Sequence, residues 1–147
     1  MDGTLCDVTT IRHHVLSRKK NYDAFHYLSV YCPPIDWVAD MARRARKNGL
    51  LIIVVTARMD KWRPLTVNWM DHNDIPWDAL HMRRTGDLRS DRLVKEEILA
   101  DLQRWYDIRF AVDDNPAILE MWKDNGIDAI EVPGWQEEEE AVASQAQ

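Results

Sequence analysis

The stretch Leu50–Arg58 reads LLIIVVTAR and decides the fold class. Its first six residues are all apolar, which is typical of a short strand buried on both faces rather than of a membrane span. Strands of this kind occur in parallel sheets that helices cover. We therefore predict a buried strand over Leu50–Val55, with the polar side chains of Thr56 and Arg58 just beyond its end.

Helical patterns flank this strand on both sides. The spacing of apolar residues predicts a helix over Asp36–Lys47, which Gly49 ends. A second helix is predicted over Asp60–His72, with Pro64 tolerated in its first turn. The short apolar segment Ala79–Met82 fits an edge strand.

The rest of the chain continues this alternation. Four more elements are predicted: a helix over Asp91–Trp105, a strand over Ile108–Val112, a helix that Asn115-Pro116 opens and Gly126 ends, and a strand over Ala129–Val132. Such alternation indicates an α/β fold, a doubly wound parallel sheet with helices on both faces.

The composition supports one domain. Of the 147 residues, 46% are hydrophobic, which is enough to form a single core and excludes a disordered chain. Residues 136–147 contain Glu137–Glu140 and lack hydrophobic periodicity, so we predict a domain over 1–135 and a disordered acidic tail. Within the domain, Val8–Pro34 is harder to interpret, but Tyr22–Val30 fits a short helix in an insert over the active face.

Charge and cysteine content narrow the class of protein. The 19 basic and 25 acidic side chains give a net charge of −6. The basic clusters Arg18–Lys20, Arg43–Lys47 and Arg83-Arg84 are interpreted as solvated surfaces rather than a wide duplex-binding face. Cys6 and Cys32 are too few for a disulfide framework and are expected to be reduced thiols. The N-terminal sequence is polar and lacks the apolar stretch of a secretory signal, so we expect a cytoplasmic protein.

Thr56 and Arg58 suggest phosphate binding, because ligands of open parallel sheets bind beyond the carboxyl ends of the strands. A hydroxyl and a guanidinium both donate hydrogen bonds to phosphate oxygens. A capping threonine and a surface arginine are the alternative interpretation.

Asp113 and Asp114 are adjacent carboxylates at the end of another predicted strand. Their mutual repulsion requires a cation or hydrogen-bond donors nearby. Mg²⁺ takes one or two carboxylates together with water and substrate phosphate, so we predict a magnesium site here. The alternative is that Asp114 or Asn115 merely caps the next helix.

Lys95 lies in the first turn of its predicted helix, where the helix dipole disfavours a cation. An anion bound near it would reverse that penalty. Taken by itself, a solvated lysine that pairs with Asp91 or Glu96 is the favoured interpretation.

The segment Asp2–Leu5 completes a pattern with Thr56, Lys95 and Asp113-Asp114. In this order the motifs resemble those of the haloacid dehalogenase superfamily of phosphotransferases, whose first motif reads Asp-x-Asp-Gly-Thr at the end of the first strand. The resemblance implies the doubly wound fold of that superfamily, with a small helical insert after the first motif.

Three segments point to one group within this superfamily. They are Thr56–Arg58, Val94–Ile98, and Ala111–Asp114 with Glu120–Trp122 after it. They are similar to those of the 3′-phosphatase half of phage polynucleotide kinase-phosphatases, over nearly all of the chain before the acidic tail.

The resemblance implies phosphoryl transfer through an aspartyl-phosphate. Asp2 would be the general acid and base, with its backbone carbonyl as a metal contact. Thr56 would hydrogen-bond the transferring phosphoryl group, and Lys95 would bind both that group and the nucleophile. Asp113 would ligate Mg²⁺ directly, and Asp114 directly or through water.

The same resemblance implies which residues touch the substrate. Arg58 matches a substrate-contacting arginine, Thr4 belongs to the first motif, and Arg12 is a weaker candidate because its spacing from Asp2 fits poorly.

One residue of the pattern is not present in the sequence. The nucleophilic aspartate should stand immediately before Met1, at the end of a central strand. Three explanations stay open: a fragment or a start at an internal methionine, which is the favoured one; a short form that binds phosphate or metal without hydrolysis; or a different phosphate-binding α/β domain. The order of Thr56, Lys95 and the acidic pair argues against a receiver domain.

The substrate is less defined than the reaction. The resemblance favours a 3′-phosphate at a nucleic-acid end, with a small nucleotide as the alternative, and a linked or separate kinase or ligase as partner. Trp62, Trp77 and Trp135 are candidates for stacking on a base, although packing is the favoured interpretation for each. The chain has no Gly-rich Lys-Ser/Thr loop and is therefore not itself predicted to be a kinase.

Overall fold

The computed structural model describes residues 1–133, and the backbone packing divides the chain into two compact units after Ser90. The predicted acidic tail and Trp135 lie outside the described residues. The α/β class is confirmed: the described residues form six α-helices and four strands, and each strand pairs in parallel with one neighbour.

The first unit contains four helices and two strands. These are α1 (His13–Leu16), α2 (Tyr22–Leu28), α3 (Asp36–Lys47), β1 (Ile53–Met59), α4 (Arg63–His72) and β2 (Ala79–Arg83). Short 3₁₀ turns cover Thr9–Ile11, Ser29–Tyr31 and Asp60–Trp62. The predicted insert is therefore helical, with α2 ending at Leu28 and the last 3₁₀ turn of the insert following it.

The strand β1 begins three residues later and ends four residues later than predicted. Leu50 is held by the end of α3, because its N–H donates to Ala45 O at 3.0 Å, and Gly49 provides the left-handed turn with φ of 79°. At the other end, parallel pairing with β2 carries the strand past Val55 to Met59, with an irregular register after Thr56. The residues predicted to follow the strand therefore belong to it.

Side chains of β1 alternate between buried and partly buried positions, so Thr56 and Arg58 point the same way as the core residue Val54. Arg83 at the end of β2 is also buried: its Nε donates to Ala57 O at 2.9 Å, and its Nη1 donates to Arg89 O at 2.6 Å. The interpretation of Arg83 as a solvated residue is therefore wrong, because backbone carbonyls satisfy its guanidinium.

Helix α4 packs its buried face onto the insert of the first unit. Trp69 is 3% exposed, and its Nε1 donates to Cys32 O at 2.8 Å. Cys6 and Cys32 are both buried and are free thiols. This packing holds the N-terminal turn and the insert against α4.

The second unit contains α5 (Asp91–Leu102), β3 (Ala111–Asp113), α6 (Pro116–Asp124) and β4 (Ala129–Glu131). Its core consists of Leu99, Ile118, Met121, Trp122 and Ile127. Helix α5 ends before the predicted Trp105, which is 81% exposed. Within residues 1–133, no helix is long and apolar enough to cross a bilayer.

Candidate active site

The N-terminal residues form a tight turn that fixes Asp2. Met1 O accepts hydrogen bonds from the N–H groups of Leu5 at 2.9 Å and Cys6 at 3.0 Å. Gly3 has a φ of 76°, a conformation that a residue with a Cβ rarely adopts, and its N–H donates to Cys6 O at 2.9 Å. The glycine of the first motif thus permits the turn, and Thr4 is buried in it.

Asp2 is held by Arg58 of β1 through a bidentate ion pair. Arg58 Nε donates to Asp2 Oδ2 at 2.8 Å, and Nη2 donates to the other carboxylate oxygen. The third nitrogen, Nη1, donates to Thr66 Oγ1 of α4 at 3.1 Å. Because Arg58 is only 2% exposed, its planar guanidinium fixes the orientation of the Asp2 carboxylate.

This pair sets the protonation state of Asp2. Burial raises the pKa of Asp2, but the charge and hydrogen bonds of Arg58 lower it more, so the pKa falls to about 2. Asp2 is therefore ionised at neutral pH. A carboxylate with this pKa is deprotonated but only weakly basic, and a neighbouring negative charge that raises its pKa makes it both a better base and, once protonated, a general acid.

The lowered pKa of Asp2 makes the free energy of unfolding depend on pH. A depressed pKa contributes stability that is present above the unfolded value near 4 and is lost as the pH falls towards 2, by about 2 kcal/mol. The Asp2→Asn variant leaves Arg58 buried without its partner and is expected to be less stable than the wild type at pH 7. Urea unfolding from pH 7 to pH 2 should show this difference shrinking below pH 4. A difference that stays constant would contradict the shifted pKa.

Thr56 lies beside this pair and is 3% exposed. Its Oγ1 accepts a hydrogen bond from the Arg58 N–H at 3.2 Å. The oxygen is thus used as an acceptor, so the hydroxyl proton can be donated to a ligand oxygen. This geometry fits the predicted role of Thr56 as a phosphate donor, and that role stays a prediction.

Arg12 and Arg58 were both expected to touch substrate. Arg12 is buried at the start of α1. Hydrogen bonds from Thr9 lower the pKa of Asp7, and the positive charge of Arg12 adds to that effect. Arg58 uses three nitrogens on Asp2 and Thr66, so its described contacts are internal. Substrate contact by either arginine stays a prediction.

His26 of α2 was not identified from the sequence. Burial lowers its pKa to about 4, although the charge of Asp2 opposes that shift, and the imidazole is therefore neutral at pH 7. Its Nδ1 is buried and has no hydrogen-bond partner among the described residues. No motif or spacing marks this histidine, since its neighbours Asp2 and Trp62 are distant in sequence.

The second unit contains the other polar cluster, centred on Lys95 and Asp113. Lys95 Nζ lies 2.7 Å from Asp113 Oδ2, and their side chains are 8% and 7% exposed. The interpretation of Lys95 as a solvated lysine is therefore wrong. Burial raises the pKa of Asp113, but the charge of Lys95 lowers it more, so the carboxylate is ionised.

Backbone donors complete the Asp113 site. Asp113 Oδ1 accepts hydrogen bonds from the N–H groups of Asp114 at 3.1 Å and Asn115 at 3.2 Å. Asn115 caps α6 as predicted, because its Oδ1 accepts from Ala117 N at 3.0 Å. Asp114 is 8% exposed, so it is a buried carboxylate rather than a surface cap.

The donor chemistry of this cluster fits a hard divalent cation. A carboxylate has about four acceptor positions, and internal donors use three of those of Asp113. One position on Asp113 and the carboxylate of Asp114 suit Mg²⁺, which completes its shell with water and phosphate. Residues 1–133 contain no group of three or more acidic, histidine or cysteine side chains arranged as a complete metal site.

Solved structures with a similar fold include two titled "Structure of the Pnkp1/Rnl/Hen1 RNA repair complex" and "Structure of Pnkp1/Rnl/Hen1 complex". The first shares 25% identity with a TM-score of 0.77, over 90% of this chain and 40% of that one. The second shares 26% identity with a TM-score of 0.75, over 90% of this chain and 43% of that one. The chain thus spans about two fifths of the length of the solved chains that it matches.

The family model described as "Polynucleotide kinase PNKP phosphatase domain", of the haloacid dehalogenase type, matches residues 1–134. This match covers both polar clusters and nearly the whole sequence, and it confirms the resemblance that the motifs carry. The chain belongs to the family of PNKP phosphatase domains, which are phosphatases of the haloacid dehalogenase type.

Proposed function

We propose that this domain removes a 3′-phosphate from the end of a nucleic acid. One observation carries the proposal: residues of the family motifs are buried although their side chains are charged or polar. Thr56, Arg58, Lys95 and Asp113 are all buried. Burying such groups costs stability unless they are paired, and buried titratable groups with specific charged partners are typical of catalytic sites.

Asp2 is proposed as the general acid and base. Its ion pair with Arg58 keeps it ionised in the free protein. A phosphate dianion bound beside it raises its pKa, so that Asp2 holds a proton that it can give to the leaving sugar oxygen. Once the alcohol has left, the carboxylate can take a proton from the attacking water. Arg58 acts through Asp2 by fixing its orientation.

Thr56 and Lys95 are proposed to bind the phosphoryl group. The Thr56 hydroxyl donates a hydrogen bond to a phosphate oxygen, and the Lys95 ammonium has two further N–H groups besides the one given to Asp113. Thr4 and Arg12 are proposed as further substrate contacts. Each of these groups is held before substrate arrives, which lowers the cost of organising the transition state.

Asp113 and Asp114 are proposed to hold Mg²⁺, with the backbone carbonyl of Asp2. When bound, the ion offsets the charge of the phosphate and of the carboxylates around it. Lys95 keeps the Asp113 carboxylate ionised, which prepares it to bind a cation.

The nucleophile is not assigned to any of the 147 residues, because the family pattern places it directly before Met1. Asp2 already has the acid and base role, and Asp7 follows the glycine turn. Activity assays therefore use two proteins: the chain as printed, and the same chain extended before Met1 by a strand that ends in aspartate.

The similar solved structures are titled as complexes of Pnkp1, Rnl and Hen1, one of them for RNA repair. This supports the proposal that a nucleic-acid end, rather than a small metabolite, is the substrate. The family description names a polynucleotide kinase, which supports a linked or separate kinase as partner, and a ligase is proposed on the resemblance alone.

The substrate proposal is tested with matched oligonucleotides that carry the phosphate at the 3′ or the 5′ end. We expect the extended chain to release phosphate from the 3′-phosphorylated strand in Mg²⁺, to leave the 5′-phosphorylated strand intact, and to stop on addition of EDTA. Equal rates on both strands would contradict the 3′ assignment. Turnover that EDTA does not reduce would contradict the metal assignment.

A further inference from the structure

Three ring-bearing side chains of the first unit lie together, and one of them, His26, is close enough to Asp2 to interact with its charge. Tyr22 and His26 of α2 stack with their ring centroids 6.5 Å apart and an interplanar angle of 25°. The His26 ring lies 5.9 Å from that of Trp62, which ends the 3₁₀ turn before α4. We call Tyr22, His26 and Trp62 the aromatic surface. It joins the insert to the loop that follows β1, the strand that carries Arg58.

Tyr22 opens the aromatic surface to solvent, and Lys61 places a cation beside Trp62, whose side chain is partly buried. Tyr22 is 53% exposed. Lys61 Nζ lies 5.1 Å from the centroid of the Trp62 ring and pairs with Asp23 at 2.8 Å. Rings with lysine or arginine beside them are the usual platform for bases of single-stranded nucleic acids, because every base has a face that stacks.

His26 is the central ring of this surface. Phe25 packs edge-on against it, with the two ring centroids 5.2 Å apart. Its Nδ1 is closed to solvent, so His26 contributes to the surface through its ring, which lies between those of Tyr22 and Trp62.

We propose that Tyr22, His26 and Trp62 bind the terminal nucleoside of a single-stranded substrate and so determine specificity for nucleic-acid ends. The rings stack on the base of that nucleoside, with the Lys61 cation beside them. This inference rests on the proposed function, because the phosphate of that nucleoside then reaches Asp2. It differs from the favoured interpretation of Trp62 as a packing residue.

The test is a binding measurement on the chain as printed, which does not depend on the nucleophile. A single-stranded oligonucleotide with a 5′ fluorophore and a 3′-phosphate is titrated with protein, and fluorescence anisotropy is recorded. The variants are Trp62→Leu and Trp62→Phe, with Trp37→Leu as the matched control because Trp37 is a 41% exposed tryptophan of the same unit. Circular dichroism verifies that each variant is folded.

We expect wild type to bind, Trp62→Leu to weaken binding about tenfold or more, and Trp62→Phe and Trp37→Leu to stay close to wild type. If Trp62→Leu is unfolded, Tyr22→Ala replaces it, since that side chain is largely exposed. Absence of wild-type binding, or equal affinities of Trp37→Leu and Trp62→Leu (or of Trp37→Leu and Tyr22→Ala where that variant replaces it), would overturn the inference.

A second arm separates this inference from the proposed function. A generic aryl phosphate has no nucleobase. Its hydrolysis by the extended chain therefore needs the phosphatase site but not the aromatic surface. If the extended chain hydrolyses the aryl phosphate but the anisotropy titration shows no binding, or no effect of Trp62→Leu, only the specificity proposal is overturned. If Trp62→Leu weakens oligonucleotide binding but the extended chain does not hydrolyse the aryl phosphate, the aromatic surface is supported and the phosphatase proposal is contradicted.

Discussion

The Lys95→Met variant of the extended chain is expected to lose phosphatase turnover by at least about a thousandfold and to lose about 3–5 kcal/mol of stability. Lys95 is the cationic partner of Asp113, with its Nζ 2.7 Å from Oδ2. Methionine keeps the length of the side chain and removes the charge. The stability loss arises because Asp113 stays buried without a counter-charge, and the activity loss arises because the phosphoryl group loses its ammonium donor.

These two effects can be separated with a second substitution. The double variant Lys95→Met, Asp113→Asn removes both charges, so its free energy of unfolding should recover towards wild type while turnover stays lost. Lys123→Met, an exposed lysine of α6, is the control for a lysine substitution in the same unit. The measurements are urea unfolding and steady-state phosphate release. A loss of turnover below about tenfold would contradict the phosphate-binding role of Lys95.

The Asp2→Asn variant of the extended chain is expected to lose turnover of a 3′-phosphorylated oligonucleotide by about a hundredfold to ten-thousandfold. An amide cannot protonate the sugar oxygen or accept a proton from water. The loss should be smaller on an aryl phosphate whose leaving group is a weak base, because such a group departs without a proton. Equal losses on both substrates would contradict the general-acid role.

The Arg58→Lys variant is the companion of that experiment. Lysine keeps the positive charge but cannot form two parallel hydrogen bonds to Asp2. If Arg58 fixes the orientation of Asp2, turnover should fall and the acidic limb of the pH–rate profile should move to higher pH, because the carboxylate is less strongly stabilised. An unchanged profile would show that Arg58 acts only in packing.

The sequence predicts those elements whose signals are local. Helix α3 has the predicted bounds Asp36–Lys47, because its apolar spacing ends at the left-handed Gly49. The order of elements and the parallel pairing of the strands follow from the alternation of apolar runs with helical patterns. The N-cap at Asn115 was recognisable because a capping side chain and a first-turn proline are adjacent in sequence.

The errors arise where long-range pairs override local patterns. The apolar run predicts that the strand ends at Val55, but β1 continues to Met59 because its backbone pairs with β2. The contact of Arg58 with Asp2, 56 residues away in sequence, is equally invisible to a local pattern. Lys95 looks solvated from its position in the first turn of a helix, and only the fold shows it buried against Asp113. The residues of both pairs belong to motifs that the family resemblance singled out. The resemblance did not show which of them contact each other.

The most direct test of the central claim is phosphate release from a 3′-phosphorylated oligonucleotide in Mg²⁺ by three folded proteins. These are the chain as printed, the chain extended by a strand that ends in aspartate, and the same extension ending in asparagine. We predict turnover only for the aspartate extension, because its carboxylate would occupy the nucleophile position two residues before Asp2. Turnover by the chain as printed at a comparable rate would place the nucleophile among these residues and contradict the role given to Asp2.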